Sequence, residues 1–161
     1  MIVNHIDGGI MVDKIEGVIV TPLRCIATPK GDVLHAMKRT DEGFAGFGEV
    51  YFSEVFFGDV KGWKRHNRMT LNLVVVHGTI RFIIYDDREG SATKGCYQEV
   101  YLSPNDADSY CRLTVAPGLW MAFEGCDENK GTSLLMDLIP EIHDPAEADR
   151  CELSEIEFPD K

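Results

Sequence analysis

Several familiar features are missing from this 161-residue chain. It has no basic-then-apolar leader. Asp7, Asp13 and Glu16 interrupt residues 1–20, so this stretch suits neither a signal peptide nor a membrane span, and a cytoplasmic location is expected. The five cysteines, Cys25, Cys96, Cys111, Cys126 and Cys151, are odd in number, widely spaced and free of any CxxC. That sets aside a disulfide frame or a zinc knuckle and predicts free, mostly buried thiols. Internal repeats and low-complexity tracts are absent. Positive charge is scarce: 16 Lys and Arg face 27 Asp and Glu, a net charge of −11. This argues against nucleic acid and anionic membrane as main partners.

What remains is globular and rich in turns, with 44% hydrophobic and 27% charged residues, 15 glycines and 7 prolines. A chain of this length is expected to fold as one domain, residues 1–161, around one core. Residues 1–14 suggest a flexible N-terminal arm with a turn at Gly8-Gly9. Residues 144–161 form an acidic C-terminal segment, in which Pro145 to Asp149 suit one helical turn.

Between these ends the pattern is β. Val18-Ile19-Val20 is a short β-branched run, and Pro29-Lys30-Gly31-Asp32 marks a turn before a strand over Val33–Met37, where residues 34–39 would also accept a helical turn. Glu49–Phe57 alternates as a strand with aromatic cover at Val50 and Phe52. Leu71 to Val76 and Ile80 to Ile84 alternate on either side of His77-Gly78, which predicts a β-hairpin buried on both faces. Gln98–Leu102, Cys111–Val115, Leu119–Phe123 and Ser133–Leu138 supply further strands. Strands at this spacing, with Gly and Pro between them, indicate an all-β sandwich or barrel.

One segment departs from the acidic background. Lys61-Gly62-Trp63-Lys64-Arg65-His66-Asn67-Arg68 holds four cations, one histidine and no acid. Local potential, not net charge, steers a ligand, so this island is a candidate seat for an anion, although a solvated basic turn has the same composition.

The order of these motifs resembles the dTDP-4-dehydrorhamnose 3,5-epimerase family, the jelly-roll cupins of nucleotide-sugar biosynthesis. Lys61-Gly62-Trp63-Lys64-Arg65-His66 is similar to the family's Arg-Gly-Leu-His-Tyr-Gln. Val76-His77-Gly78-Thr79-Ile80-Arg81 through Asp86-Asp87-Arg88 resembles its hairpin. Val115-Ala116-Pro117-Gly118-Leu119-Trp120-Met121-Ala122-Phe123 resembles its Pro-Pro-Gly-Phe-Ala-His-Gly-Phe, and His143-Asp144-Pro145-Ala146-Glu147 its Tyr-x-Pro-x-x-Glu. Thr21-Pro22 and Lys30-Gly31 fit its opening strand and Arg-Gly pair. The resemblance spans residues 15–158 and implies a double-stranded β-helix, or jelly-roll cupin.

The departures bear on chemistry. The family's histidine base is replaced by Lys64, its supporting lysine by Leu71 and its second histidine by Met121. Its tyrosine acid belongs near Asp137, and no tyrosine follows Tyr110. The related nucleotide-sugar 3,4-ketoisomerases carry Arg-Gly-x-His-x-His, whose second histidine falls on His66. The resemblance therefore implies an epimerase or ketoisomerase moving a proton beside the keto carbon of an NDP-4-keto-6-deoxysugar, in cell-surface polysaccharide biosynthesis. The alternative is a non-catalytic nucleotide-sugar or carbohydrate-binding cupin. A homodimer is expected, with no cofactor.

Candidate roles follow from residue chemistry. His66 has a side chain suited to abstract a proton near neutral pH, and the neighbouring Lys64, Arg65 and Arg68 would keep it neutral. By alternation Lys64 points the same way, to act as base, enolate partner or diphosphate contact. Asp137 on an apolar strand either faces solvent or lines the cavity. Lys61 and Arg68 are expected to meet the diphosphate, with Lys30 and Arg112 as further substrate contacts. Trp120, like Trp63, either stacks on the substrate or packs in the core. Arg88 is expected to fix the loop after the hairpin through Asp86. A metal site is not expected, because His66 stands without the His-x-His partner and later histidine that a metal cupin uses.

Overall fold

The computed structural model describes residues 4–6 and 9–160. Its strands are β1 (Asn4–Ile6), β2 (Gly9–Met11), β3 (Val18–Pro22), β4 (Cys25–Ile26), β5 (Val33–Leu34), β6 (Glu49–Phe56), β7 (Val60–His66), β8 (Leu71–His77), β9 (Ile80–Tyr85), β10 (Cys96–Leu102), β11 (Cys111–Val115), β12 (Trp120–Gly125), β13 (Thr132–Ile139) and β14 (Ala148–Arg150). A 3₁₀ turn, Pro145–Glu147, precedes β14, with Asp144 capping it by accepting from the Ala146 N–H. Among the described residues no helix is long and apolar enough to cross a membrane.

Two sheets face each other as a jelly roll. The larger runs β1-β2-β10-β9-β12-β7-β14 and the smaller β3-β11-β8-β13-β6, while β4 and β5 pair with each other. Alternation sends Leu73, Val75, Leu113 and Leu135 of the smaller sheet inward against Phe82, Ile84, Leu102 and Met121 of the larger. The expected N-terminal arm contributes β1 and β2, and β2 runs parallel to β10; the Gly8 half of its expected turn lies outside the described residues. β5 ends at Leu34, short of the strand expected to Met37.

The expected hairpin is corrected. β8 pairs with β11 and β13, whereas β9 pairs with β10 and β12. The chain therefore crosses from one sheet to the other at His77–Thr79 and does not fold back beside itself. Gly78 makes the corner at φ 74°. Ser133 Oγ accepts from the Thr79 N–H at 3.0 Å and donates to the Thr79 carbonyl at 2.9 Å, and Ser103 Oγ donates to the Gly78 carbonyl at 2.9 Å.

Both strands are buried on two faces because each outer face has its own cover. Over the larger sheet, Trp63, Ile83 and Trp120 pack beneath Ile156 and Phe158 of the C-terminal segment. Arg81 is buried there, pairing with Glu99 and donating to the Pro159 carbonyl at 2.7 Å. Over the smaller sheet, Arg112 donates to the Ala36 and Glu42 carbonyls and to Asp41, and Asn72 donates to the Gly43 carbonyl. Arg88 grips Asp86 with its Nε and Nη2 at 2.9 Å, as expected. The β6 edge lacks such a cover: Val50, Phe52 and Phe56 are exposed, so the aromatic row expected to cover the core points outward instead. Of the cysteines expected to be mostly buried, only Cys111 is; Cys25 is exposed and the other three are half-buried.

The corner at Gly78 can be tested. A Cβ there would sit 2.3 Å from Ser133 Oγ, on a backbone that side chains rarely adopt. Gly78→Ala should lower stability by about 2 kcal/mol or more in urea titration. A loss below about 0.5 kcal/mol, the range of ordinary surface changes, would contradict the assignment.

Candidate active site

The two sheets part at one end of the roll to leave a cavity of about 740 Å³, within the usual size range of small-molecule sites. β7 forms one wall. Simple alternation from Lys64 would turn Lys61 away, but Met121 pairs with Lys64 and Phe123 with Lys61, so β7 holds one residue more than β12 between these pairs. This bulge sets both Gly62 and Trp63 on the outer face and returns Lys61 to the cavity, alongside Lys64 and His66. At Gly62 a Cβ would lie 2.5 Å from Leu153 Cδ2 and 3.0 Å from Ala122 Cβ, so Leu153 packs directly over the bulge. Leu71, Leu73, Met121, Phe123 and Leu135 make an apolar floor.

His66 is buried, with Nδ1 2.5 Å from Glu147 Oε2. The other Glu147 oxygen accepts the N–H groups of Arg68 at 2.6 Å and Met69 at 2.8 Å. Burial opposes ionisation of Glu147, but these backbone donors and His66 together hold its carboxyl below the usual range. An ionised carboxylate only accepts, so His66 carries its proton on Nδ1 and keeps a lone pair on Nε2. Burial lowers the His66 pKa, Glu147 partly offsets this, and Lys64 and His143 lower it further. The ring is therefore neutral and basic at pH 7, as expected, but chiefly through burial. Arg65 faces the other way, stacked 4.5 Å over Trp120 and paired with Asp149 and Asp87. Arg68 is held by Glu141.

The facing wall is β6 and β13. Asp137 stands directly opposite Tyr51 in the register, and the Tyr51 hydroxyl donates to Asp137 Oδ2 at 2.9 Å. Asp137 is 4% exposed, and burial pushes its pKa up to about 7 against the lowering effects of Tyr51 and Lys64. Lys64, half-buried on the opposite wall, is lowered by burial and by Arg150. Burial thus moves the cation and the carboxyl towards their neutral forms. Lys61 lies at the rim, its Nζ 3.3 Å from Ser53 Oγ, and Arg150 and His143 also line the opening.

Of the residues proposed from sequence, His66, Lys64, Asp137 and Lys61 come together around this cavity. The others do not. Arg68 is spent on Glu141. Arg112 is buried on the outer face of the smaller sheet, holding residues 36–42. Trp120 sits on the outer face of the larger sheet, donating to Asp87 at 2.9 Å, and Trp63 is core there, donating to the Ile156 carbonyl. Lys30 is on the exposed turn between β4 and β5. Sequence reasoning missed Tyr51, Glu147, His143 and Arg150. Tyr51 shares its parity with Ser53 and Val55, but only the β6–β13 register sets it against Asp137. Among the described residues no three His, Cys, Asp or Glu side chains gather as a metal site: His66 is taken by Glu147, and Met121 brings no donor nitrogen.

No family model and no curated protein sequence matches the chain. Solved structures do. A dTDP sugar isomerase from Desulfovibrio desulfuricans G20 is 34% identical, with 90% of this chain and 91% of that one covered at a TM-score of 0.82. Two more distant structures share the fold. One is the dTDP-6-deoxy-D-glucose-3,5-epimerase of Legionella pneumophila, crystallised with dTDP-4-keto-L-rhamnose (15% identity, 88% and 76% covered, TM-score 0.73). The other is a sugar 3,4-ketoisomerase from Thermoanaerobacterium thermosaccharolyticum, crystallised with TDP (18%, 88% and 93%, TM-score 0.67).

The Asp137 environment has a measurable consequence. Unfolded, its carboxyl ionises at the ordinary 3.8; folded, it keeps its proton up to about 7. Between these values the folded state binds more protons, so this group lowers stability as pH rises through the window and contributes no such loss below it. Asp137→Asn removes the loss. Its stability relative to the parent should rise between pH 4 and pH 8 by on the order of 3–4 kcal/mol in denaturant titrations. A difference independent of pH would mean that Asp137 is ionised throughout.

Proposed function

Because the chain belongs to the RmlC-like cupin family, the dTDP-sugar epimerases and isomerases, we propose that it is a nucleotide-sugar isomerase acting by proton transfer next to the keto carbon of an NDP-4-keto-6-deoxysugar. The observation that carries this reading is the buried His66–Glu147 pair on the cavity wall beside Lys64. His66 stands two residues after the position where the 3,5-epimerases keep their base, yet faces the same interior.

In this reading His66 Nε2 removes a proton from the carbon beside the ketone. Glu147 stabilises the imidazolium that forms, and Lys64 faces the oxygen on which negative charge develops. The rim cations Lys61 and Arg150 meet the diphosphate; Arg150 takes the place that sequence alone assigned to Arg68. Lys61 offers phosphate a point charge and not a fork, so it attracts without fixing orientation. The reaction neither oxidises nor reduces the sugar. Supply of a deoxysugar for cell-surface polysaccharide, in the cytoplasm where nucleotide sugars are made, is the setting the family resemblance implies.

The protein mixed with a dTDP-linked 4-keto-6-deoxyhexose in deuterated water should place deuterium on a carbon beside the ketone, read by NMR. His66→Asn should slow this by about 10²–10⁴-fold while binding persists. Tight binding by the parent with no exchange would favour the non-catalytic alternative, and no binding at all would end the nucleotide-sugar reading.

The uncovered half of the smaller sheet supports a homodimer. Val50, Phe52 and Phe56 are exposed there beside the half-buried Leu134, Met136 and Leu138, a contiguous apolar face of the kind that marks an interaction surface. A second copy would bury it across a two-fold axis. Light scattering should give a dimer mass, and Phe52→Glu with Phe56→Glu a monomer; a monomeric parent would rule this out.

A further inference from the structure

Two lysines face the cavity from β7, and their surroundings differ. Lys61 is exposed at the rim, its Nζ 3.3 Å from Ser53 Oγ. Lys64 is half-buried, and among the described residues its side chain has no hydrogen bond or ion pair. Its neighbours across the strands are Met121 of β12 and Arg150 of β14, an apolar group and a like charge placed directly opposite. Burial first, and Arg150 second, lower its pKa against the opposing pull of Asp137 and Glu147. A lysine kept for its charge alone gains nothing from such a position. Desolvation beside a second cation is instead what turns an amine into a nucleophile.

We infer that Lys64 attacks the keto carbon of the bound sugar and forms a Schiff base with it, while His66, two positions along the same strand face, carries the protons. The inference rests on the isomerase reading above and deepens it: Lys64 goes from facing the keto oxygen to bonding the carbon that holds it. Residues two apart on a strand lie about 7 Å apart at the backbone, within reach of a lysine stem, and both side chains open onto the same cavity. His66 already feels Lys64 as a nearby positive charge. The iminium draws electrons more strongly than the ketone, so the C–H bond beside it ionises more readily. The facing wall suits the fixed charge that this creates. Asp137 Oδ1 is buried without a partner among the described residues, and Lys64 and Asp137 act on one another electrostatically. A cation bound in place at the Lys64 nitrogen favours the ionised carboxylate there.

The atoms balance with water as the only species released and taken back. His66 Nε2 takes one proton from the Lys64 ammonium. The free amine adds to the carbonyl carbon: the C–N bond forms, the C=O π bond breaks, and the nitrogen passes a second proton to the oxygen. The resulting carbinolamine loses its hydroxyl as water when the imidazolium returns the first proton to it, and the nitrogen lone pair completes the iminium. His66 is then neutral again and removes the proton from the neighbouring carbon, with the electron pair moving towards nitrogen as an enamine. Return of a proton to carbon and attack of water on the iminium reverse the sequence and restore ketone and ammonium. The sugar is neither oxidised nor reduced.

Reductive trapping tests this. The full chain incubated with a dTDP-linked 4-keto-6-deoxyhexose and sodium cyanoborohydride, which reduces an iminium faster than a ketone, should gain the mass of one sugar nucleotide less an oxygen atom. Peptide mapping should place the gain on Lys64. Lys64→Arg keeps the positive charge but offers no amine to condense. It should form no adduct and lose deuterium uptake by about 10²-fold or more, with dTDP binding kept. Trapping of the parent needs no variant and carries the test if Lys64→Arg does not fold. Deuterium uptake by the parent with no adduct, or with the adduct on another lysine, would overturn the inference and leave the isomerase reading in place. Uptake by Lys64→Arg at the parent rate would do the same. A parent that shows neither uptake nor adduct removes the isomerase reading itself, and the inference with it.

Discussion

The carboxylate of Glu147 joins the end of the chain to the strand that carries the site. It is buried, and it accepts from two successive backbone N–H groups at the corner between β7 and β8 as well as from the ring of His66. Those donors would otherwise be buried without partners where the chain leaves one sheet for the other. A single side chain thus closes a backbone corner, fixes the tautomer of the histidine and anchors the 3₁₀ turn that leads into β14. Beyond it, Leu153 packs over the bulge at Gly62, and Trp63 and Arg81 hold the last residues by their carbonyls. The C-terminal segment is acidic by composition, yet it acts as the outer layer of the larger sheet and as part of the site's rim.

The β character was legible in the sequence because alternation is local. Val18–Val20, Glu49–Phe56 and Cys111–Val115 are strands where the pattern places them. Which strands pair is not local. Leu71–Val76 and Ile80–Ile84 alternate identically whether the chain turns back at Gly78 or crosses to a facing sheet. The burial on both faces that was expected of the hairpin arises from covers formed by residues 36–43 and 151–160, far away in sequence. The same limit explains β6. Its alternation is clear, but which parity faces inward is decided by the β13 register, and Tyr51 and Ser53 rather than Val50 and Phe52 won that side.

Within the site, the residues found from sequence are those whose strangeness is local: a histidine and lysines in one cationic run, and an aspartate in an apolar one. Arg68, Arg112 and Trp120 looked equally suitable by type, but each has a nearer structural partner, in Glu141, in the carbonyls of residues 36 and 42, and in Asp87. A cation is available to a substrate only when no carboxylate of the protein reaches it first, and no one-dimensional pattern reports that. Lys61 is available because an extra residue in β7 turns it inward, a departure from alternation that single-strand reasoning counts as an error.

The loss of the family's usual base and acid need not mean the loss of its chemistry, because a cavity constrains proton transfer by faces rather than by sequence positions. The isomerase reading asks for a neutral base on the cavity wall and a cation near the oxygen that gains charge. Burial acts on both walls of the cavity: it lowers the His66 pKa and raises that of Asp137 to about 7. In the isomerase reading, His66 is the base and Lys64 the cation beside it, because both face the cavity from one side of β7.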